Sequence, residues 1–574
     1  MTSTSKNTMQ APADTSQTTP LRRLLKYIEV PIDANADYKN DHYTNRDLIP
    51  TPANRRTYSI SSYFIYWCIS GMCISAYTVG STLLAYGLSA PQAIGAIIIG
   101  AICTGCLSVA CGWMGERHHI GFTVASRFTW GMRGAYFPVI VRSFTQHNIL
   151  GWPTSLLGRA GYDCTTTQIF ITVCVKFLPI DQVTLGAIIP RLAHMTHTLA
   201  GGVLLTKDLI GMIIMRIPPE RLQRPFVVSS VMFGGTLIGL LAWATTAAKG
   251  VGPLFQRNAE PAHGSVGWAM MFGITAILGS WGGGTLGQSD WTRYAGQPYA
   301  PTLSQLIAAP FFIILCATVG IVVTSCGEQI FGALIWEPFA LLAQIQEFYH
   351  DSSRVRAGVF FAGLGCVCAQ LGISIVLNSV SAGMDLAGLA PRYLNIRRGA
   401  YVLAAMGLIS NPWQYLSKAA TFLTVISGFG IFFGPFTGVM LADYLVVRRG
   451  IIKLEDCYIG DSSSLYWYNG GFHWRALVAW ALGVFPTMPG FVMTMQDATA
   501  YNGWIRIFNI AFFVGLAVSF IAFWMICNIS PPPGVGVGTN YHDKSRSLFV
   551  GPLSRTERLD KEEGEGTEKM VVSV

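Results

Sequence analysis

Three polar side chains recur at a spacing of four residues inside an apolar stretch of the chain. Gln370, Ser374 and Asn378 occupy these positions, and on an α-helix they would share one face. Amide and hydroxyl groups can both donate and accept hydrogen bonds, as the polar edge of a nitrogen heterocycle requires. Because polar groups inside a membrane span are costly and tend to be functional, this face predicts a ligand-binding site. The alternative is a hydrogen bond between two helices without any ligand.

A second candidate is Trp281, which lies among the four glycines of the sequence Gly279-Ser-Trp-Gly-Gly-Gly. Each glycine costs an α-helix about 1 kcal/mol relative to alanine, and broken helices build the substrate sites of many transporters. We therefore expect a helix break here, with the flat indole ring of Trp281 available to stack on a flat ligand. The alternative is an unbroken glycine-rich helix that packs closely against a neighbour.

The composition defines the class of protein. Of the 574 residues, 51% are hydrophobic and 12% are charged, and the mean hydropathy of +0.43 predicts an all-α polytopic membrane protein. The 13 cysteines show no metal-ligand spacing, so we expect small buried apolar residues and neither a cofactor nor a metal. The sequence contains no nucleophile elbow and no phosphate-binding loop, so we expect no enzyme. Cytoplasmic loops explain the net charge of +9 better than nucleic-acid binding does.

Apolar stretches of about 20 residues can cross a bilayer, and they predict twelve membrane segments, numbered here in chain order. Segment 4 is defective, because an Arg-Ile-Pro-Pro sequence at 216–219 stops its apolar run after about two turns. We expect residues 1–57 to form an N-terminal tail, 58–530 the transporter domain and 531–574 a C-terminal tail. The segments lie near residues 61–84, 92–114, 133–158, 209–215, 226–248, 267–288, 302–325, 357–385, 400–417, 419–443, 475–495 and 505–529.

The positive charges between segments predict the orientation of the chain. Lysine and arginine concentrate in cytoplasmic loops of membrane proteins, and here they follow the even-numbered segments. Both tails should therefore be cytoplasmic. The residues concerned are Arg216, Arg221, Arg224, Arg293, Arg392, Arg397, Arg398, Arg448, Arg449 and Lys453.

Several motifs together resemble the fungal branch of the nucleobase:cation symporter-1 family, which includes uracil, allantoin and uridine permeases. Within that branch the chain is most similar to the thiamine and nicotinamide riboside transporters. The resemblance covers about residues 45 to 530. The motifs that carry it include Asp47-Leu-Ile-Pro, Gly121-Phe-Thr-Val-Ala-Ser-Arg-Phe, Gln288-Ser-Asp-Trp-Thr-Arg-Tyr, Ser381-Ala-Gly-Met-Asp and Asn411-Pro-Trp.

The resemblance implies a leucine-transporter-like fold, with two inverted repeats of five helices and two extra helices. In such proteins the substrate lies at mid-membrane, between broken segments 1 and 6 and segments 3 and 8. By position, Trp281 matches the stacking aromatic of segment 6 and Asn378 matches the amide of segment 8. In segment 3, Ile149 and Pro153 stand where the family has tryptophan and glutamine.

The resemblance also bears on the coupling ion. Sodium-coupled relatives supply hydroxyl oxygens from segment 8, whereas this chain has Gly372 and Ile373 at those positions. Because hard cations such as sodium prefer oxygen ligands, a proton is the predicted coupling ion, although no coupling residue stands out. We interpret Asp290 and Arg293 as an ion pair at the cytoplasmic end of segment 6 rather than as a coupling site.

The predicted function is import of a nucleobase, nucleoside, allantoin-like compound or vitamin, such as thiamine or nicotinamide riboside, by a proton symporter in the plasma membrane. Its partners would be this small-molecule substrate, the proton and the lipid bilayer, and no nucleic acid. The alternative is a transport-inactive sensor or scaffold that descends from the same family. The short segment 4 and the altered segment 3 motivate that alternative.

Overall fold

The computed structural model describes residues 40–147, 216–261, 264–350, 352–409, 419–495 and 502–537, together with Ile214 and a few positions between 26 and 38. Within these ranges the chain forms helices, short connecting turns and two isolated β-bridges. Most of segment 4 lies outside the described residues, as do Ile149 and Pro153 of segment 3. The expectations about them stay predictions.

Among the described residues, seven helices are long and apolar enough to cross a membrane, or nine if each of two bent pairs counts as one span. They coincide with predicted segments 1, 2, 5, 6, 7, 8, 10, 11 and 12, so the chain is a multi-pass membrane protein. The spans are Ile60–Gly71 with Ile74–Ala85, Ala90–His118, Gln223–Ala248, Val266–Thr292, Ala300–Phe331, Ser353–Leu389, Ser427–Val447, Trp474–Val484 with Met488–Met495, and Ala511–Ile529.

The remaining helices are shorter. Tyr136–His147 and Ile396–Ile409 lie at the positions of segments 3 and 9. The others connect spans or lie beside them. They are Ala53–Arg55, Phe122–Trp130, Pro219–Arg221, Pro253–Phe255, Pro338–Phe348, Leu454–Tyr458 and Gly503–Asn509.

Segment 1 is broken in the middle. Its two helices meet at an angle of 44° across Met72 and Cys73. The second half packs closely on segment 7, because a Cβ on Gly80 would lie only 2.4 Å from the carbonyl oxygen of Ala317. Close backbone approach at small residues is the usual way in which membrane helices associate. This packing fixes the break of segment 1 against the body of the protein.

Segment 6 is helical through its four glycines, so the predicted break at 279–284 is wrong. The helix runs without interruption from Val266 to Leu286, and the turn follows at Gly287. Gly282 packs against Phe433 of segment 10, where a Cβ would lie 3.1 Å from the Phe433 Cβ. In the bilayer a broken backbone hydrogen bond is not replaced by water. Close packing therefore outweighs the poor helix propensity of these glycines. The alternative interpretation, an unbroken glycine-rich helix packed against a neighbour, is the correct one.

Candidate functional site

Trp281 joins segment 6 to the break in segment 1. Its side chain is only 2% exposed, and its indole N–H donates a hydrogen bond of 3.0 Å to the carbonyl of Ser70. Ser70 lies in the last turn before the break, where helix carbonyls lack partners within their own helix. Trp281 therefore caps the first half of segment 1, and the buried Ser70 hydroxyl beside it has no hydrogen-bond partner among the residues that the structure describes.

Segment 8 contributes two of the predicted site residues with buried polar atoms. The side-chain oxygen of Gln370 and the hydroxyl of Ser374 both lack hydrogen-bond partners among the described residues. An unsatisfied buried polar group costs about 1–3 kcal/mol, which a polar ligand can recover by binding there. At Ser374 the α-helix changes to a π-helix that runs to Val380, and π turns are frequent at functional sites. Asn378 lies in this turn, but its side chain is outside the described structure, so its role stays a prediction.

Trp281 of segment 6 and the polar part of segment 8 approach neighbouring residues of segment 1. Trp281 contacts Ser70, and a Cβ on Gly372 of segment 8 would lie 3.3 Å from Ile69 Cγ2. Ile69 and Ser70 are consecutive residues of the last turn before the break. Segments 6 and 8 therefore flank the same turn of segment 1, as a shared binding site requires.

A buried charge cluster that joins segments 3, 6 and 8 was missed by the sequence analysis. Arg142 of segment 3 forms ion pairs with Asp290, just after segment 6, and with Asp385 of segment 8. The Arg142 Nε to Asp385 Oδ2 distance is 2.8 Å, and all three side chains are 0% exposed. A Cβ on Gly287 would overlap the guanidinium, so the turn after segment 6 needs glycine at this point. Charged residues inside predicted spans were the signal that could have identified the cluster.

The predicted ion pair between Asp290 and Arg293 is wrong. Asp290 pairs with Arg142, which reaches it from segment 3. Arg293 instead finds neutral oxygen acceptors on the chain that precedes segment 1, so the two neighbours in sequence have partners on different elements. The acceptors of Arg293 are the Asp47 carbonyl at 2.6 Å, the Ile49 carbonyl at 2.7 Å and the Thr51 hydroxyl at 2.7 Å.

Residues 45–58, here called the docked tail segment, pack against the loops that follow the even-numbered segments. The Asn45 amide donates to the carbonyl of Pro391, after segment 8, at 3.1 Å. The Tyr458 hydroxyl, after segment 10, donates to the Leu48 carbonyl at 2.9 Å. Leu48 is fully buried in these contacts. The end of the predicted N-terminal tail is therefore part of the folded domain.

A buried histidine borders the docked tail segment. The backbone N–H of Thr51 donates to the carbonyl of His119 at 2.9 Å, and the imidazole contacts the carbonyl of Arg293. Burial, together with the nearby charge of Arg56, lowers the pKa of His119 to about 4. The ring is thus neutral near pH 7, so its contacts do not change as pH varies around neutrality.

Arg293→Gln should release the docked tail segment. Hydrogen bonds from a charged donor contribute about 1.5–3 kcal/mol, so we expect the ratio of docked to released tail to fall by about 10- to 150-fold. Limited trypsin digestion of open membrane fragments, in which both faces are accessible, would show this as faster cleavage near residues 46–56. The control is Arg257→Gln, since Arg257 pairs with Glu328 at the surface and is 57% exposed. Equal cleavage rates in Arg293→Gln and the parent protein would contradict the expectation.

The helical spans, the broken first segment and the buried polar site beside it define a multi-pass membrane transporter. The sequence profile of a family described as permeases for cytosine/purines, uracil, thiamine and allantoin matches residues 50–515. The chain belongs to this family. The family consists of permeases rather than enzymes, so the predicted class is confirmed and the sensor or scaffold alternative is not favoured.

Individual relatives agree with this assignment. The thiamine transporter of Saccharomyces cerevisiae is 28% identical to the chain, covering 89% of it and 83% of the transporter. The uracil permease of the same yeast is also 28% identical, over 87% of this chain and 78% of the permease. The allantoin permease matches at 28% identity, over 88% of this chain and 79% of its own length.

The fold is shared with a solved transporter. Mhp1, a nucleobase–cation-symport-1 family transporter in a closed conformation with bromovinylhydantoin bound, superposes with a TM-score of 0.63 at 17% identity. The match covers 85% of this chain and 97% of Mhp1. The predicted leucine-transporter-like fold is thereby confirmed.

Proposed function

We propose that the protein imports a small nitrogen heterocycle across the plasma membrane, with both termini in the cytoplasm. The observation that carries the proposal is the convergence of Trp281 and segment 8 on the last turn before the break in segment 1. The yeast relatives named above transport thiamine, uracil and allantoin, all of which are small nitrogen heterocycles with polar edges.

The chemistry of the site suits such a ligand. A flat ring that stacks on the indole of Trp281 would gain about 0.5–1.5 kcal/mol beyond its burial. The oxygens of Ser70, Gln370 and Ser374, which have no hydrogen-bond partner among the described residues, offer acceptors for N–H groups of the ligand, and the two hydroxyls can also donate. A nucleobase, a nucleoside, an allantoin-like compound, thiamine or nicotinamide riboside presents both features.

We further propose that a proton drives the import. At the positions where sodium-coupled relatives have hydroxyl groups, segment 8 offers Gly372 and Ile373. The hydroxyl of Ser229, from segment 5, lies against Gly372 and donates to the carbonyl of Cys368 at 2.8 Å. This hydroxyl is committed to a neighbouring helix, and its contact fills the space beside Gly372. The local structure therefore favours a proton over a bound sodium ion.

Uptake assays test the proposal directly. The protein would be expressed in yeast cells that lack their own permeases for labelled uracil, allantoin, uridine, thiamine and nicotinamide riboside, and its plasma-membrane abundance measured in parallel. We expect uptake of at least one substrate, unchanged without sodium and lost when a protonophore collapses the proton gradient. No uptake by protein shown to be at the plasma membrane would contradict the transport function, and a sodium requirement would contradict the proton coupling.

Asn378→Ala should weaken substrate binding without impairing delivery to the membrane. Loss of the amide leaves polar groups of the ligand unpaired at a cost of about 1–3 kcal/mol, which corresponds to about five- to two-hundred-fold weaker apparent affinity. Uptake measured over a range of substrate concentrations, together with surface abundance on the same cells, tests this expectation. Phe361→Ala, on the same segment but 64% exposed, is the control and should keep the parent affinity. Unchanged affinity in Asn378→Ala would place the substrate elsewhere.

A further inference from the structure

The Arg142 cluster holds one positive charge between two carboxyl groups in a region closed to solvent. Removing charges from water is costly, and a buried pair compensates for that cost only when its charges balance. Two carboxylates that share one site seldom both ionise, because each raises the proton affinity of the other. The cluster therefore has room for one exchangeable proton.

The two carboxyl groups are not equivalent. Asp290 accepts a hydrogen bond of 2.8 Å from the backbone N–H of Phe122, at the N-terminus of the helix Phe122–Trp130, in addition to its pair with Arg142. A helix N-terminus stabilises a negative charge. Asp385 accepts a hydrogen bond of 2.8 Å from the Arg142 Nε, and a further polar neighbour in the described part of the chain is the hydroxyl of Ser143, which can donate to a carboxylate or accept from a carboxylic acid.

The other ionisable groups around the cluster reinforce this difference. Arg293 approaches Asp290 from the side of Gly121, where a Cβ would lie 2.8 Å from Asp290 Oδ1 and 3.3 Å from Arg293 Nη1. Tyr66 of segment 1 lies beside the cluster and donates its hydroxyl hydrogen to Gln288 at 3.3 Å. A second positive charge thus lies on the Asp290 side of the cluster, which leaves Asp385 as the carboxyl group that exchanges the proton.

We propose that Asp385 is the proton-carrying residue of the transport cycle, an assignment that rests on the proposed proton-coupled import. When the site is open to the outside, the Asp385 carboxylate binds one proton and becomes a neutral carboxylic acid. Arg142 then keeps its ion pair with Asp290 alone. On the cytoplasmic side the O–H bond breaks, the proton passes to water and the carboxylate pairs again with Arg142. One proton enters and one leaves, with no change of oxidation state.

This exchange links the proton to the helices that surround the substrate. Asp385 belongs to segment 8, Arg142 to segment 3, and Asp290 to the turn after segment 6. Protonation of Asp385 loosens segment 3 from segment 8 and leaves segment 3 held to segment 6. The protonation state of Asp385 therefore determines whether segment 3 is bound to both segment 8 and segment 6 or to segment 6 alone.

The test compares accumulation with exchange in Asp385→Asn, which imitates the protonated, neutral side chain. At one proton per substrate, a gradient of about one pH unit sustains about tenfold accumulation. We expect Asp385→Asn to lose this accumulation and the dependence of uptake on external pH. Exchange of labelled for unlabelled substrate, which requires no net proton movement, should stay within a few-fold of the parent protein.

Two further variants separate proton transfer from folding. Asp443→Asn alters a carboxylate that is equally buried but paired one-to-one with Arg448 at 3.0 Å, so any uptake that it retains should keep the parent pH profile. Asp385→Glu keeps a titratable carboxyl group and should restore accumulation with a displaced pH profile.

The outcomes distinguish this assignment from the proposed function. Proton-driven accumulation with a parent pH profile in Asp385→Asn would overturn the assignment and leave the proposed function intact. If Asp385→Asn does not reach the membrane, an undisplaced profile in Asp385→Glu would overturn it equally. A parent protein that transports no substrate, or transports one without proton coupling, would overturn the proposed function and this assignment together.

Discussion

Arg142→Leu is expected to reduce uptake per cell by more than a hundredfold. The substitution leaves Asp290 and Asp385 together in a site closed to solvent, without the cation that both contact. Breaking a buried ion pair by removing one partner costs about 3–5 kcal/mol, which corresponds to about 150- to 5000-fold in the population of the functional state. Labelled-substrate uptake and surface biotinylation, measured on the same cells, would show whether activity or abundance is lost.

Two control variants test whether the effect of Arg142→Leu comes from the buried charge cluster. Arg392→Leu removes an exposed ion pair with Glu29, which contributes about 0–1 kcal/mol at most, so uptake should be close to that of the parent protein. The triple variant Arg142→Leu/Asp290→Asn/Asp385→Asn carries no buried charge at this position and should recover surface abundance without regaining proton-dependent accumulation. Parent-level uptake in Arg142→Leu alone would show that the cluster does not support the functional state.

Trp281→Ala should be the most damaging single change at the proposed substrate site. It removes the cap on the Ser70 carbonyl and the predicted stacking surface, and it leaves a cavity in a packed region. Replacement of a buried aromatic residue by alanine costs about 3–5 kcal/mol, so we expect both apparent affinity and surface abundance to fall. Saturation kinetics beside surface abundance would resolve the two contributions.

Trp281→Phe separates stacking from capping. Phenylalanine keeps an aromatic face but has no N–H for the Ser70 carbonyl, and one lost hydrogen bond costs about 0.5–1.5 kcal/mol. We therefore expect partial activity, reduced by about two- to thirteen-fold. Trp524→Ala, on segment 12 and 43% exposed, is the control and should change neither affinity nor abundance appreciably. Full activity in Trp281→Phe would indicate that the contact with Ser70 is dispensable.

The sequence by itself determined the class of protein, the family and the positions of the nine membrane segments that coincide with described spans. These properties follow from local information. A run of about 20 apolar residues can cross a bilayer in only a few ways, and the motifs of the family are contiguous. Trp281 could be singled out for the same reason, since an aromatic residue among glycines is conspicuous whatever surrounds it.

Whether the helix continues through the glycines at 279–284 could not be predicted from the local sequence. Helix propensity argued for a break at 279–284, whereas contact with Phe433, some 150 residues further along the chain, keeps the helix intact up to Leu286. Propensity is a weak prior because tertiary packing can exceed it. The break in segment 1, which the family resemblance implies, is present in the structure, although the sequence there contains no comparable run of glycines.

The tertiary structure alone decided the partners of the charged residues. Asp290 and Arg293 are three residues apart, yet Asp290 pairs with Arg142, which is 148 positions away, and Arg293 binds the docked tail segment, more than 240 positions away. Spacing in sequence identifies pairs within one helix, but a buried charge selects whichever partner the packed helices bring to it. For that reason the composition and the spans could be predicted, whereas the Arg142 cluster and the docking of residues 45–58 emerged only from the folded chain.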